Sequence, residues 1–281
     1  PGCPAVAATT RPVLTAVVLR HSCISRSDAF SAGNRTCFAR RGVATTARFF
    51  AYALRMSDGN RLGQQNAQKQ RAAERAVALV EDGMRLGLGS GTTAELFVQA
   101  LASRVHDGLR VSMVSSSQRT QRLALKLGLT VVELDGPTDL AIDGADAVEI
   151  DTLAAIKGRG GALTREKLVA VSARQFVLVA DASKVVLKLS AVQDTIPVPV
   201  EVLPFGWQTT ARRLERIGQP MLRTRDGRPF VTDNGNLIVD LQVLTLNDPA
   251  TTACDIATTV GVVEHGLFLN MAGLALVGTD E

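Results

Sequence analysis

From about Gln64 onward, apolar and polar positions alternate between a helical spacing and short apolar runs. Ala72, Ala76, Val77 and Val80 recur at helical intervals, predicting a helix over Gln64–Val80 that ends at the Asp82-Gly83 turn. Met84–Leu88 reads as a short buried strand, and a glycine-rich turn leads from it into a helix over Thr93–Val105. Val111–Ser115 is a strand, Gln118–Lys126 a helix closed by Gly128, and Thr130–Leu134 another strand. Leu140–Ile142, a helix over Leu163–Val171 and a strand over Phe176–Ala180 continue the rhythm. Strands separated by helices of this length predict βαβ units, hence an α/β fold with a doubly wound, Rossmann-like parallel sheet.

Near Ser190 the pattern changes. Pro197–Pro204 is extended, Thr209–Ile217 and Ala250–Thr258 are helical, and Met221–Thr224, Phe230–Thr232 and Leu237–Leu241 are strands. Asp226-Gly227 and Asn234-Gly235 join these strands, and both dipeptides favour the positive φ of hairpin turns. A small α+β, ferredoxin-like insert is therefore expected over residues 191–262. The Rossmann-like catalytic domain takes residues 58–190 plus 263–281, with Val262–Phe268 and Leu274–Val277 rejoining the main sheet or its edge.

Charge separates the chain into two parts. Residues 1–57 hold eight Arg, no Lys and one acid, Asp28, leaving 23 basic and 26 acidic residues in the rest. The basic balance thus belongs to the leader, and the body has no excess with which to neutralise nucleic-acid phosphates. Rich in Arg and Ser and poor in acid, residues 1–57 have the composition of an organelle transit peptide and are expected to be disordered. The destination is a plastid or a mitochondrion, or the cytoplasm if Met56 is the initiator, and only the metabolic reading that follows from the resemblance below favours the plastid. No apolar run approaches the ~20 residues that span a bilayer, so no membrane partner is expected. Cys254 is the body's lone cysteine, and His106 and His265 have no ligand partners at characteristic spacing, so no disulfide, metal or cofactor is expected. His265 reads as a packing residue.

In a parallel sheet, ligands sit beyond the carboxyl ends of the strands, and three clusters follow strand ends here. The turn Gly87-Leu-Gly-Ser90-Gly91-Thr92-Thr93 offers glycine backbone, three hydroxyls and a following helix N-terminus to an anion. It lacks the third glycine of a dinucleotide fingerprint and the Gly-Lys-Ser/Thr of a nucleotide P-loop, so a small phosphate monoester fits better. Asp143-Gly144-Ala145-Asp146 would usually read as solvated turn acids, but the buried Leu-Ala-Ile strand before it puts both carboxylates at the ligand edge, suited to moving protons between sugar hydroxyls. Lys157-Gly158-Arg159-Gly160-Gly161 is a second glycine-rich turn, and Glu166 lies early in the helix after it. Lys184, in Asp181-Ala-Ser-Lys184, is a candidate phosphate cation, and Lys69 is a weaker one.

These motifs, GLGSGTTA, SSSQRT, DLAIDGAD, IKGRGGALTREK, ADASK, PVEVLPFGW, VTDNGN and GVVEHGLF, run in order over the whole body and resemble those of type A ribose-5-phosphate isomerases. The resemblance implies a metal-independent aldose–ketose isomerase, converting ribose 5-phosphate to ribulose 5-phosphate through a cis-enediolate in the pentose phosphate pathway. It also implies a homodimer or homotetramer and, in a plastid, service to carbon fixation in the Calvin cycle. Glu166 would be the base between C1 and C2, and Asp143 would assist ring opening. Asp146 and Lys157 would polarise the sugar oxygens, while Ser90–Thr93, Lys184 and Lys69 would hold the substrate and its phosphate, with Gly144, Ala145 and Gly158–Gly160 lining the site. Arg159 stands where the family usually has glycine, and Ala147-Val148 separate Asp146 from Glu149 where the family has the acid directly. A sugar-phosphate sensor and an acyl-CoA transferase of similar fold are the alternatives.

Overall fold

The computed structural model describes residues 16–20 and 61–280. The main sheet contains six strands in the order β1-β16-β7-β4-β2-β3. Here β1 is Ala16–Arg20, β2 Arg85–Leu88, β3 Ser112–Ser115, β4 Thr138–Gly144, β7 Ala173–Asp181 and β16 Leu274–Gly278. β16, β7, β4, β2 and β3 run parallel, and β1 lies antiparallel along β16. Successive strand residues face opposite sides, so each strand serves two cores. Leu86, Leu88, Leu140, Ile142, Val177 and Val179 meet helices α1 (Arg61–Val77), α2 (Gly91–His106) and α3 (Gln118–Lys126). The alternate residues Ala141, Phe176, Leu178 and Ala275 pack with Val169 and Ala170 of α4 (Leu163–Ser172) on the other face. Gly87 makes that approach possible: a Cβ there would lie 2.4 Å from Val169 Cγ1.

A separate antiparallel sheet has the order β10-β13-β9-β14, from Gly218–Leu222, Leu237–Val243, Val198–Val202 and Val262–His265. Helices α5 (Trp207–Leu214) and α6 (Pro249–Ala257) pack on it through Leu214 and Ile256. Asp248 caps α6, its carboxylate accepting from the Ala250 and Thr251 amides. A third sheet, β15-β6-β5-β8 (Leu267–Phe268, Ala155–Ile156, Ala147–Glu149 and Val185–Val186), is not foreshadowed by the sequence pattern.

Several expectations change. Thr130–Leu134 forms no strand and keeps one bridge, Met113 to Val131, because β3 already ends the sheet and only a short exposed stretch follows α3. Phe230–Thr232 is likewise reduced to one bridge, Val231 to Leu237; the hairpin at Asp226-Gly227 is instead the short pair β11 (Thr224–Arg225) and β12 (Arg228–Pro229). Val262–His265 does not rejoin the main sheet. It pairs with β9 in the small sheet, while Leu267–Phe268 pairs with β6. Ala16–Arg20, within the leader expected to be disordered, is a strand; the rest of that leader lies outside the described residues. Among the described residues, no helix is long and apolar enough to cross a membrane.

Candidate functional site

The carboxyl ends of β2, β4 and β7 meet the 157–160 turn around a cleft of about 310 Å³. Lys69, Ser90, Gly91, Thr92, Thr93, Gly144, Ala145, Asp146, Lys157, Gly158, Arg159, Gly160, Glu166 and Lys184 all line it. Asp143 lies just beneath, buried, so the two carboxylates of the acidic run part company instead of both pointing outward. Asp143 turns inward to Lys157 Nζ, at 2.8 Å, and also accepts from the Ser90 and Gly144 amides. Asp146 turns to the loop and accepts from the Arg159 amide at 3.0 Å.

Glu166 reaches the cleft because it occupies the buried stripe of α4, in line with Leu163, Val169 and Ala170. One of its oxygens accepts from the Ser90 hydroxyl. The other, Oε2, is buried, lies 3.4 Å from Lys157 Nζ and accepts no hydrogen bond. Ser90 stands at the N-cap of α2 without capping it, since its hydroxyl is committed to Glu166. The first amides of α2 are thereby left to an anion in the cleft.

Lys157 is 2% exposed and donates to the Gly144 carbonyl as well as to Asp143. The ring of Phe268 lies 5.3 Å from its ammonium. Burial pulls this ammonium down, but Asp143 and Glu166 outweigh it and hold Lys157 above its ordinary value. For Asp143, burial pushes the carboxyl up to about 7, and the charge of Glu166 adds to it; Lys157 and the Ser90 amide work the other way.

Asp181 is a site residue that sequence reasoning passed over. It is 1% exposed, lines the cleft, accepts from the Ser183 amide and lies 3.9 Å from Lys69. The signal was its place at the end of β7, beside the Lys184 already singled out. His265 is buried as expected of a packing residue, but polar groups surround it: the Leu267 amide donates to its Nδ1, and Lys167 donates to its carbonyl. Burial, with the Lys167 charge adding to it, lowers its imidazole to about 4.

The glycines explain two close approaches. At Gly89 a Cβ would fall 2.0 Å from Asp143 Cγ, so Gly89→Ala must displace the carboxylate that holds Lys157. We expect that variant to lose ~1–3 kcal/mol of stability by overpacking and to lose activity beyond what its folded fraction explains; denaturant titration beside initial rates checks both. Arg159 carries no backbone strain, because positive φ in this turn falls on Gly158 and Gly161, at 98° and 90°, and not on Arg159.

Among the described residues, no group of three His, Cys, Asp or Glu side chains could hold a metal ion. The model of the family described as ribose 5-phosphate isomerase A (phosphoriboisomerase A) matches residues 112–281. A ribose-5-phosphate isomerase A from Thermomicrobium roseum is 53% identical over 216 residues, covering 75% of this chain and 90% of the relative. One from Gloeobacter violaceus is 47% identical over 215 residues, covering 75% and 92%. The solved ribose 5-phosphate isomerase A of Methanocaldococcus jannaschii superposes with a TM-score of 0.72 at 40% identity, covering 75% of this chain and 94% of that one. A D-ribose-5-phosphate isomerase in complex with phospho-erythronic acid gives 0.73 at 34% identity, covering 77% and 96%.

Proposed function

The chain belongs to the ribose 5-phosphate isomerase A family, and we propose that it interconverts D-ribose 5-phosphate and D-ribulose 5-phosphate through a cis-enediolate, in the pentose phosphate pathway. The observation that carries the reading is the unbonded Glu166 Oε2 beside the buried ammonium of Lys157. A carbon acid next to a carbonyl is weakly acidic, and its removal needs a positioned base together with charge stabilisation for the oxygens. Glu166 takes the proton from one carbon and returns it to the neighbour. Lys157 and the glycine-rich turn stabilise the enediolate oxygens.

In this reading the phosphate lies on the open amides and hydroxyls of Ser90–Thr93, with Lys184 and Lys69 supplying charge; Gly144, Ala145, Asp146 and Gly158–Gly160 line the sugar. Asp143, whose carboxyl is pushed above the usual carboxylate range by burial and by the Glu166 charge, suits proton exchange during ring opening. Neither a metal nor a cofactor has a part.

Incubation of the protein with ribose 5-phosphate, without metal or CoA, is expected to yield ketopentose phosphate. Binding without turnover would favour a sensor, and activity only with CoA a transferase. Lys184→Ala is expected to raise KM about tenfold or more, by loss of one charge-assisted phosphate contact, with kcat little changed. An unchanged KM would remove Lys184 from the phosphate site.

We also propose that residues 1–57 direct the enzyme to a plastid, where it would serve the Calvin cycle, and that it works as a homodimer or homotetramer. The Arg-rich, acid-poor composition supports a transit peptide, the metabolic reading favours the plastid as its destination, and a fluorescent fusion of residues 1–57 tests it. Light scattering at micromolar concentration tests the second.

A further inference from the structure

Lys157 and Glu166 are joined by residues 158–165, and the small sheet grips that segment at both ends. At the first end is Arg223, between β10 and β11. Its Nη1 donates to the carbonyls of Gly158 at 2.8 Å and Arg159 at 3.0 Å, while its Nε holds Asp240 of β13 at 2.8 Å. At the other end is Thr164, in the first turn of α4, whose hydroxyl donates to Oε2 of Glu201 on β9.

Glu201 is 0% exposed and pairs with no cation among the described residues; its Oε1 accepts from Thr232 at 2.9 Å, Asn234 at 3.1 Å and Asn236 at 2.9 Å. Burying a carboxyl group is costly unless its hydrogen bonds are met. An apolar residue would fill the core of a merely structural sheet without that cost. Three of the donors organise the turn after β12 so that one oxygen is held for α4 alone. Thr164 is two residues from Glu166, so the bond acts on the helical turn that carries the base.

We propose that the small sheet is the positioning device of the proton-transfer pair: Glu201 through Thr164, and Arg223 through the Gly158 and Arg159 carbonyls, set where Glu166 and Lys157 meet. The proposal rests on Glu166 being the base. Misplacement of a reacting group by ~1 Å can cost about 10²-fold in rate, and Glu166 Oε2 stands 3.4 Å from Lys157 with no bond of its own to hold it.

Thr164→Val keeps the side-chain shape and deletes the link; Thr164→Ser restores the hydroxyl. With ribose 5-phosphate we expect T164V to lower kcat about tenfold or more with KM within about threefold, and T164S to stay near wild type. Hydrogen–deuterium exchange over residues 158–170 is expected to quicken in T164V and not in T164S. A T164V protein that loses only thermal stability, with kcat within twofold of wild type, overturns the proposal. Should T164V fail to fold, Arg223→Lys decides in the same way, since lysine can pair with Asp240 but cannot span both carbonyls as well. An inactive wild type would refute the isomerase reading instead, and the exchange measurement would still decide the positioning.

Discussion

Glu166→Gln is expected to lower kcat by at least ~10²–10⁴-fold, the usual worth of a positioned general base, with KM within a few-fold of wild type. Glutamine has the same shape and can keep the Ser90 hydroxyl as its donor, so the cleft wall is preserved. What disappears is the lone pair on Oε2, the one oxygen of the pair that accepts no hydrogen bond. Steady-state kinetics, with deuterium wash-in from solvent into the C2 position of recovered substrate, separate this from a binding defect. Both turnover and exchange should vanish together. A variant that keeps turnover within tenfold, or that exchanges deuterium at the wild-type rate, would mean that another group abstracts the proton.

Lys157→Met should produce the second large effect, on stability and rate together. The ammonium lies between Asp143 and Glu166 with almost no access to water. Breaking a buried ion pair from one side typically costs ~3–5 kcal/mol. Here the cost should depend on pH in a definite direction. The Asp143 carboxyl is already pushed up to about 7 by burial and by Glu166, and without Lys157 it rises further. A carboxyl that holds its proton in the folded state but loses it near pH ~4 when unfolded makes stability fall as pH rises through that window. The variant should therefore approach wild-type stability in mild acid and lose most above neutrality. Denaturant midpoints across pH 5–9 measure this, and a pH-independent deficit would contradict it. Activity should fall about 10²–10³-fold, the cost of removing one oxyanion stabiliser.

Much of the site is legible in the chain because its parts are local. Ser90–Thr93, the acidic run and Lys184 each follow a strand end, where residue type and position together announce a ligand edge. Glu166 had a further signal. It falls in register with Leu163, Val169 and Ala170, so an amphipathic reading of α4 puts an acid on the stripe that faces the core.

What could not be read depends on distant segments. The burial of Lys157 is set in part by Gly266, whose carbonyl accepts from the Lys157 amide and whose missing side chain makes room for the Lys157 carbonyl. The inward turn of Asp143 is held by that buried ammonium and the Ser90 amide, both distant in sequence, beside the local Gly144 amide. Glu201 looked like one polar residue in an extended run, since its partners lie up to 37 residues away. Val262–His265 carries a strand pattern that fits either sheet, and only the pairing with β9 decides between them.

Residues 262–278 have a consequence for how the site is assembled. Residues 262–278 complete all three larger sheets in turn: β14 closes the small sheet, β15 lies against β6 just before Lys157, and β16 enters beside β7. Phe268, in β15, supplies the ring near the Lys157 ammonium. Until that segment docks, β9, β6 and β7 each lack one neighbour, Lys157 lacks its cover, and contacts spanning more than a hundred residues wait to close. Recovery of activity in a refolding chain should therefore lag the recovery of its helical structure.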